Sequence, residues 1–389
     1  MSKSRKGTVR PFVVSTVIRS LLVALATVTL VSACGSGSGG NSPAASSSSS
    51  PSASAPPSTE PTAQQHILFV GDSFTHGRYT PVRLYNSMGS QTTTPSAIVV
   101  DENYGQTGAR AELEPGPWGG IPGIFAELAF EANLNYDVHI EAISETSLSK
   151  NFTAASSVIA QSRWNAVVLQ ELSEKPLPKS LTDSSISDPV AFCSSVQSIE
   201  SAVHGAAPKA SVYLYETWPR ADLATSLAGG TSAANFNSLY LNALSTLGSA
   251  YHNVYYSAAA HDGAIAGVAP AGEAWQRAWA EDVANPDPHT ATGLPVLWYG
   301  INATNNPPIS APDYLHPSIY GAYLSGLVLF DQITRVDPRH FGASEIAAEQ
   351  LGIPASVATQ LQRVAWETVQ QENATPQGQT IDPCTAAQS

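Results

Sequence analysis

The chain has 389 residues, and 43% of them are hydrophobic, which is enough apolar material for a sizeable core. Its formal net charge is −13 at pH 7 without an offsetting basic patch, which argues against nucleic acid and anionic membrane surfaces as partners. After a non-globular start, about 320 residues remain, enough for one large α/β domain or two small ones.

The first residues have the composition of an export signal. Basic residues precede an apolar run at 12–31 that is interrupted by Arg19, a pattern typical of a signal peptide or a membrane anchor. Small residues stand directly before Cys34, which resembles a bacterial lipoprotein processing site. The resemblance implies a signal peptide at 1–33 and a lipid on Cys34, which would tether the exported protein to the outer face of the bacterial cell membrane. An uncleaved anchor and plain secretion are the alternatives.

Residues 34–65 are almost entirely Gly, Ser, Pro, Ala and Thr. Such a segment cannot bury enough apolar surface to order itself. We predict a disordered linker with a reach of about 30 Å, which holds a domain away from a surface.

From residue 66 onward, short apolar runs alternate with helical patterns. Strands are predicted at 67–70, 98–100, 136–143, 166–170, 211–216 and 254–256. Helices are predicted at 80–85, 124–132, 153–163, 190–204, 235–250, 320–332, 344–351 and 355–370, with loops at 101–122 and from 268. This alternation favours a three-layer α/β/α sandwich with a mostly parallel sheet. The domain is predicted at 66–335, with a helical extension at 336–389 packed on it.

The segment 67–77 places a serine directly after a buried strand. Four apolar residues precede the abrupt turn Gly71-Asp72-Ser73. The carboxyl end of such a strand is the edge where α/β sheets bind ligands, so a serine there can expose its hydroxyl on a rigid backbone. We predict that Ser73 is a nucleophile and that Asp72 stabilises the turn. The alternative is a turn serine bonded to its own backbone.

Asp313 and His316 lie three residues apart near the end of the predicted domain. A serine nucleophile needs a base that takes its proton and an acid that orients the base. His316 fits the first role because an imidazole can take a proton and return it to the leaving group. Asp313 would accept the other ring N–H. The alternative for His316 is a capping or core histidine.

The segments 67–77 and 313–317 resemble the first and last blocks of the SGNH (GDSL-like) hydrolase superfamily, and 317–324 is similar to one branch of it. The resemblance covers most of residues 66–330. It implies an SGNH/flavodoxin-like fold, an acyl-enzyme mechanism with Ser73, His316 and Asp313, and no cofactor. No metal-binding or phosphate-loop spacing occurs in the sequence, so no metal is predicted.

The chain departs from the superfamily at the two blocks that supply the oxyanion hole. Ser144 and Glu145 stand where a glycine is usual, and Gln170 stands where an asparagine is usual. The resemblance to a branch with a strand ending in Leu-Gln-Glu implies that the amide of Gln170 donates to the oxyanion, together with the backbone N–H groups of Ser73 and of Ser144 or Glu145. The alternative is that Gln170 only ties two loops together.

Three further residues follow strands on the same predicted edge and are assigned to substrate binding. Glu171 is read as either a loop-anchoring acceptor or a second acid. Trp218 is expected as a wall of the pocket, and Glu216 or Arg220 as a contact to polar substrate groups. A Glu–Arg pair of Glu216 with Arg220 is the alternative.

The folded part contains two cysteines, Cys193 and Cys384. In an exported protein they can pair and pin the C-terminal tail to the helix near residue 193. The sequence leaves paired and free thiols equally open.

Together these features predict a lipid-anchored serine esterase that acts on carboxylic esters. By analogy, acylated carbohydrates are the favoured substrates among small-molecule and glycan esters. A non-catalytic binding protein with the same fold and an acyltransferase to sugar hydroxyls are the alternatives. A monomer is predicted, with the membrane as its partner through Cys34 and without nucleic acid.

Overall fold

The computed structural model describes residues 63–90, 97–300, 313–375 and 382–385. The predicted signal peptide, Cys34 and nearly all of the predicted linker lie outside the described residues. Among the helices of the described part, none combines the length and apolarity needed to cross a membrane.

Six parallel strands form one sheet: β1 Gln65–Gly71, β2 Val100–Asp101, β3 Tyr136–Ala142, β4 Ala166–Leu169, β5 Ser211–Glu216 and β6 Gly267–Pro270. Their order is β2-β3-β1-β4-β5-β6, and every pair is parallel. Strands β2 and β3 therefore lie on one side of β1, and β4 to β6 lie on the other side, so the order of the strands reverses beside β1. Without the two-residue β2, the order is that of flavodoxin-like sheets, where ligands bind at this reversal.

The helices in the described residues are α1 Ser73–His76, α2 Gly120–Glu131, α3 Leu148–Ile159, α4 Lys179–Thr182, α5 Pro189–Ala206, α6 Ala221–Leu227, α7 Phe236–Asp262, α8 Ala271–Ala280, α9 Ile319–Thr334, α10 Ile346–Leu351 and α11 Ala355–Ala374. α2 packs with α9 and α10, and α9 packs with α11. α3 packs with α5, and α5 with α7. The predicted α/β class with a mostly parallel sheet is confirmed.

The central strand β1 explains why its sequence is a continuous apolar run. All four residues of 67–70 are at most 1% exposed, because neighbouring strands flank both edges and helices cover both faces. Phe69 lies opposite Ile140 of β3 and Val168 of β4. This register sets the end of β1 level with the ends of β3 and β4.

Three predicted elements are wrong. Residues 254–256 lie inside α7, where the burial of Val254 and Tyr255 overrides their strand propensity. Part of the loop predicted from residue 268 is β6, a four-residue edge strand that ends at a proline. The helix predicted at 80–85 shrinks to a single 3-10 turn at 82–84, because Tyr85 has an extended backbone.

The end of the chain is tied to the domain in two ways. α11 packs against α8 and α9 through a buried face that includes Leu361, Val364 and Val369. A disulfide joins Cys193 on α5 to Cys384, with their Cα atoms 5.6 Å apart.

Candidate active site

The turn after β1 presents Ser73 as the first residue of α1. Asp72 caps this short helix, since its Oδ1 accepts the N–H of Phe74 at 2.8 Å. Gly71 is required because a Cβ there would lie 2.2 Å from Thr75 Oγ1. Burial raises the pKa of Asp72 to about 7, against the opposing effect of the Phe74 hydrogen bond. Asp72 thus holds the turn, and Ser73 faces the cavity.

Ser73, His316 and Asp313 form a continuous hydrogen-bonded chain. Ser73 Oγ lies 2.8 Å from His316 Nε2. On the other side of the ring, Nδ1 lies 3.0 Å from Asp313 Oδ2 and 3.1 Å from Oδ1. With the ring proton on Nδ1, the lone pair of Nε2 faces the serine hydroxyl, which is the arrangement needed to deprotonate it.

Asp313 is held as a carboxylate by several donors. Its Oδ1 accepts the backbone N–H groups of Leu315 at 2.9 Å and His316 at 2.7 Å, and Tyr79 donates its hydroxyl to Oδ2 at 2.8 Å. Burial alone would raise the pKa of Asp313, but these donors and the His316 ring outweigh it and lower the pKa to about 2. The acid therefore stays ionised while His316 takes a proton.

A cavity of about 240 Å³ lies over the serine. Its lining is mostly polar or aromatic and consists of Asp72, Ser73, Phe74, Arg78, Tyr79, Glu145, Leu172, Ser173, Asp313, Leu315 and His316. All three residues of the predicted triad contribute to the wall. A ligand in this cavity would therefore meet the serine oxygen directly.

Backbone donors suited to an oxyanion lie on two neighbouring turns. Within the described part of the chain, the N–H groups of Ser73, Ser144 and Glu145 donate to no protein acceptor. Glu145 adopts a left-handed backbone with φ of 58°, the region that the usual glycine enters without strain. Ile143 N–H donates to Gly71 O at 3.0 Å, which holds the two turns together.

The assignment of Gln170 to the oxyanion hole needs correction. Its Oε1 accepts the N–H of Asp72 at 2.9 Å and the hydroxyl of Thr75 at 2.8 Å. Its Nε2 donates to the carbonyl of Glu171 at 2.5 Å. The side chain is 1% exposed and does not contribute to the cavity wall. Gln170 therefore ties the β4 turn to the serine turn.

The three residues assigned to substrate binding are also placed differently, since none of them lines the cavity. Glu171 Oε1 accepts the N–H groups of Leu148 and Leu172, so it anchors two loops. Trp218 is buried between Phe74 and Trp275, with ring centroids 4.7 and 4.3 Å away. It supports α1 from behind.

Glu216 is fully buried at the end of β5 and faces Glu273 of α8. Burial, and then the nearby charge of Glu273, raise the pKa of Glu216 well above its ordinary value. A neutral carboxyl group at this position serves the packing of β5 against α8. The alternative pairing also fails, because Arg220 pairs with Glu174 and Asp222.

A second network behind the site was not foreseen from the sequence. His76 is fully buried and stacks on Trp118, and its Nε2 lies 2.9 Å from Ser144 Oγ. Ser144 in turn donates to Glu114 Oε2 at 2.5 Å, and Glu114 also pairs with Arg78 at 2.8 Å. The long loop 101–122 thereby braces the turn that carries Glu145. His76 follows the serine by only three residues, which was the one sequence signal.

His66, Asp137 and His139 form a cluster with metal-ligand geometry near the amino ends of β1 and β3. It is the one such cluster within the described residues, and none of its members lines the Ser73 cavity. Ser73 follows the other end of β1.

No family model and no curated protein matches the chain. Solved structures do match. A DUF4886 family protein from Bacteroides uniformis is 11% identical over 81% of this chain and 98% of its own, with a TM-score of 0.46. A protein described as a GDSL-like lipase from Parabacteroides merdae is 13% identical over 69% and 95%, with a TM-score of 0.41. An acetylxylan esterase from Geobacillus stearothermophilus is 14% identical over 70% and 93%, with a TM-score of 0.37.

These similarities are too weak to say what the chain does. The sheet order and the Ser73–His316–Asp313 contacts of this chain itself agree with the SGNH (GDSL-like) superfamily, which the segments 67–77 and 313–317 resemble.

Proposed function

We propose that the protein is an SGNH-type serine hydrolase that cleaves carboxylic esters. The observation that carries the proposal is the contact of 2.8 Å between Ser73 Oγ and His316 Nε2, with Asp313 bonded to the other ring nitrogen. Two ends of the chain separated by 243 positions meet there, and the three side chains share one cavity wall.

The reaction follows from these positions. Ser73 Oγ attacks the ester carbonyl while His316 Nε2 takes its proton, and the tetrahedral oxyanion is stabilised by backbone N–H groups of Ser73 and Glu145. His316 then gives the proton to the departing alkoxide, which leaves as the alcohol. Water repeats the sequence on the acyl-enzyme, releases the carboxylic acid and restores Ser73.

The cavity favours esters of small acyl groups on polar alcohols. Its volume of about 240 Å³ is below the range of about 300–1,000 Å³ that is usual for drug-sized ligands. Arg78, Glu145 and Ser173 offer donors and acceptors around it, which suit the hydroxyl groups of an acylated carbohydrate. The proposal is therefore short-chain acyl esters of sugars or glycans.

A fluorophosphonate probe tests the nucleophile directly. We expect it to label the wild-type protein and to leave a folded Ser73→Ala variant unlabelled. A panel of esters that vary in acyl length and alcohol tests the substrate class, with acetyl esters expected to be cleaved fastest. Folded wild-type protein that resists the probe would favour a binding protein. Acyl transfer to an added polyol in preference to water would make the protein an acyltransferase.

We also propose that the protein is exported and anchored by a lipid on Cys34. The apolar run at 12–31 and the small residues before Cys34 support the proposal, and the Cys193–Cys384 disulfide fits an oxidising compartment. Metabolic labelling with a tagged fatty acid should mark the wild-type protein in bacterial membranes and not a Cys34→Ala variant. Equal labelling of both would contradict the anchor.

A further inference from the structure

The starts of β1 and β3 carry a compact group of imidazole and carboxylate ligands. His66 lies opposite Asp137 in the register of the two strands, and His139 is two residues further along the same face of β3. Asp137 Oδ2 lies 2.7 Å from His66 Nδ1 and 2.9 Å from His139 Nε2. The three ligand atoms all lie within 4.8 Å of one another.

We propose that His66, Asp137 and His139 form a binding site for a divalent transition-metal ion, with Zn²⁺ as the reference ion. Two imidazole nitrogens and one carboxylate oxygen form a ligand set that zinc accepts, with a fourth position left for water. Imidazole ligands favour Zn²⁺, Cu²⁺, Ni²⁺ and Co²⁺ over Mg²⁺ and Ca²⁺, which prefer oxygen. Ligand atoms around zinc stand about 3.4 Å apart, so the two carboxylate–imidazole contacts of 2.7 and 2.9 Å must lengthen by about half an ångström when the ion enters.

The hydrogen bonds of His139 favour a cation at this point. Its Nδ1 lies 2.7 Å from Glu102 Oε1, while its Nε2 lies 2.9 Å from Asp137 Oδ2. Each ring nitrogen of His139 therefore faces a carboxylate oxygen. When Nδ1 donates to Glu102, the lone pair of Nε2 is directed at Asp137. A metal ion between Nε2 and Oδ2 satisfies both, and Glu102 then orients the ligand ring as outer-shell carboxylates do.

The site is accessible from solvent on one side. The side chains of His66 and Asp137 are 32% and 28% exposed, whereas that of His139 is 4% exposed. An incoming ion can therefore exchange water for ligands at the rim while the buried ring fixes the position.

One charge opposes binding. Arg163 NH1 lies 3.5 Å from His139 Nε2, while its NH2 pairs with Glu102 at 2.6 Å. The Arg163 side chain is 37% exposed, so it can swing into solvent when an ion enters. Arg163 therefore gives the proposal a variant that should bind more tightly than the wild type.

The position assigns the ion a structural role. Ser73 follows the carboxyl end of β1, and the six strand residues 66–71 put it about 20 Å from His66. An ion there joins the first strand of the domain to β3, where the predicted linker enters. Its effect should be on stability, independently of the proposed hydrolase activity.

Calorimetric titration of ZnCl₂ into the full chain, purified without a histidine tag and stripped with chelator, tests the site. We expect one equivalent to bind, with an affinity at least about 100-fold lower in His66→Ala and Asp137→Asn and about 10- to 100-fold lower in Glu102→Gln. Arg163→Gln should bind more tightly. Co²⁺ should give visible absorption in the wild type that His66→Ala loses.

His204→Ala is the matched control, because His204 also pairs with a carboxylate, that of Glu200. It should bind zinc like the wild type. Absence of a stoichiometric site would overturn the proposal, as would full affinity in both folded His66→Ala and Asp137→Asn. Unchanged or weaker binding by Arg163→Gln would overturn the placement of the ion beside His139 Nε2.

Discussion

Two buried histidines lie at opposite ends of the strands, His316 near their carboxyl ends and His139 near their amino ends. They have similar surroundings and different partners. His316 lies between Asp313 and Ser73, with both ring nitrogens within 3.1 Å of an oxygen. His139 lies between Glu102 and Asp137, with both nitrogens within 2.9 Å of an oxygen. Their side chains are 6% and 4% exposed.

The chemical nature of the second partner separates the two sites. A hydroxyl can give its proton to the imidazole and become a nucleophile, so His316 is arranged to move a proton. A second carboxylate has no proton to give, so the surroundings of His139 suit the binding of a cation and not the transfer of a proton. Geometry alone would make both histidines candidates for catalysis. The serine decides which one is.

Replacing the serine should have the largest effect. Ser73→Ala removes the hydroxyl that faces His316 Nε2 and should lower kcat by about 10⁴-fold or more, with unchanged thermal unfolding. Steady-state hydrolysis of a short-chain ester measures this. Ser173→Ala is the control, because Ser173 lines the same cavity while its hydroxyl accepts a hydrogen bond from Arg220, and it should lose less than about 10-fold. Equal losses in both variants would refute the assignment of the nucleophile.

Removing the charge of each orienting acid compares the two histidines directly. Asp313→Asn should lower kcat by about 10³-fold, because an amide cannot stabilise the imidazolium or fix its tautomer. Asp137→Asn makes the same chemical change beside His139 and should leave kcat within about twofold, since it lies at the other edge of the sheet. A kcat loss in Asp137→Asn comparable to that in Asp313→Asn would show that the two edges are coupled.

The hydroxyl of Tyr79 supports the catalytic acid and should have a smaller effect. Tyr79→Phe removes the hydrogen bond of 2.8 Å to Asp313 and should lower kcat about 10-fold. Steady-state hydrolysis of the same ester measures this loss. Full kcat in a folded Tyr79→Phe variant would mean that the hydroxyl does not support Asp313.

The smallest expected effect is the contribution of Asp313 to the free energy of unfolding at acidic pH. His316 and the other hydrogen-bond donors of Asp313 outweigh burial and lower the pKa of this carboxyl group to about 2, from an ordinary value near 3.8. A lowered carboxyl pKa stabilises the fold above the ordinary value, and that stability is lost as pH falls from about 4 to about 2. The loss is on the order of 2 kcal/mol. The pKa of Asp137 is also lowered, because its contacts with His139 and His66 outweigh the opposing effect of burial.

Chemical denaturation at pH 2 to 5 measures this contribution. Asp313→Asn should flatten the pH dependence in that window relative to the wild type. An unchanged slope in the variant would mean that other carboxyl groups account for the acid sensitivity.

The catalytic chain was predictable because its signals are local. Ser73 follows an apolar strand, and Asp313 precedes His316 at a spacing that a turn converts into contact. The parallel sheet was also predictable, because β1, β4 and β5 are buried on both faces and therefore read as apolar runs.

Other contacts depend on which turns meet in space. The sequence showed that Gln170 carries an amide but not that its oxygen lies within reach of the Asp72 N–H. Glu114 braces Ser144 from thirty residues away, and a loop rich in Gly and Pro gives no sign of that. Trp218 was assigned to the pocket because it follows β5. In the structure it packs between Phe74 and Trp275 and does not line the cavity.

The disulfide closes a covalent loop that contains only part of the proposed catalytic triad. The ring closed by Cys193 and Cys384 spans 191 positions and includes Asp313 and His316, whereas Ser73 lies outside it. Such a closure restricts the unfolded chain, by about 5 kcal/mol in the chain-entropy model. A truncation before Cys384, or synthesis in a thiol-reducing cytoplasm, would leave the acid–base half without this restraint.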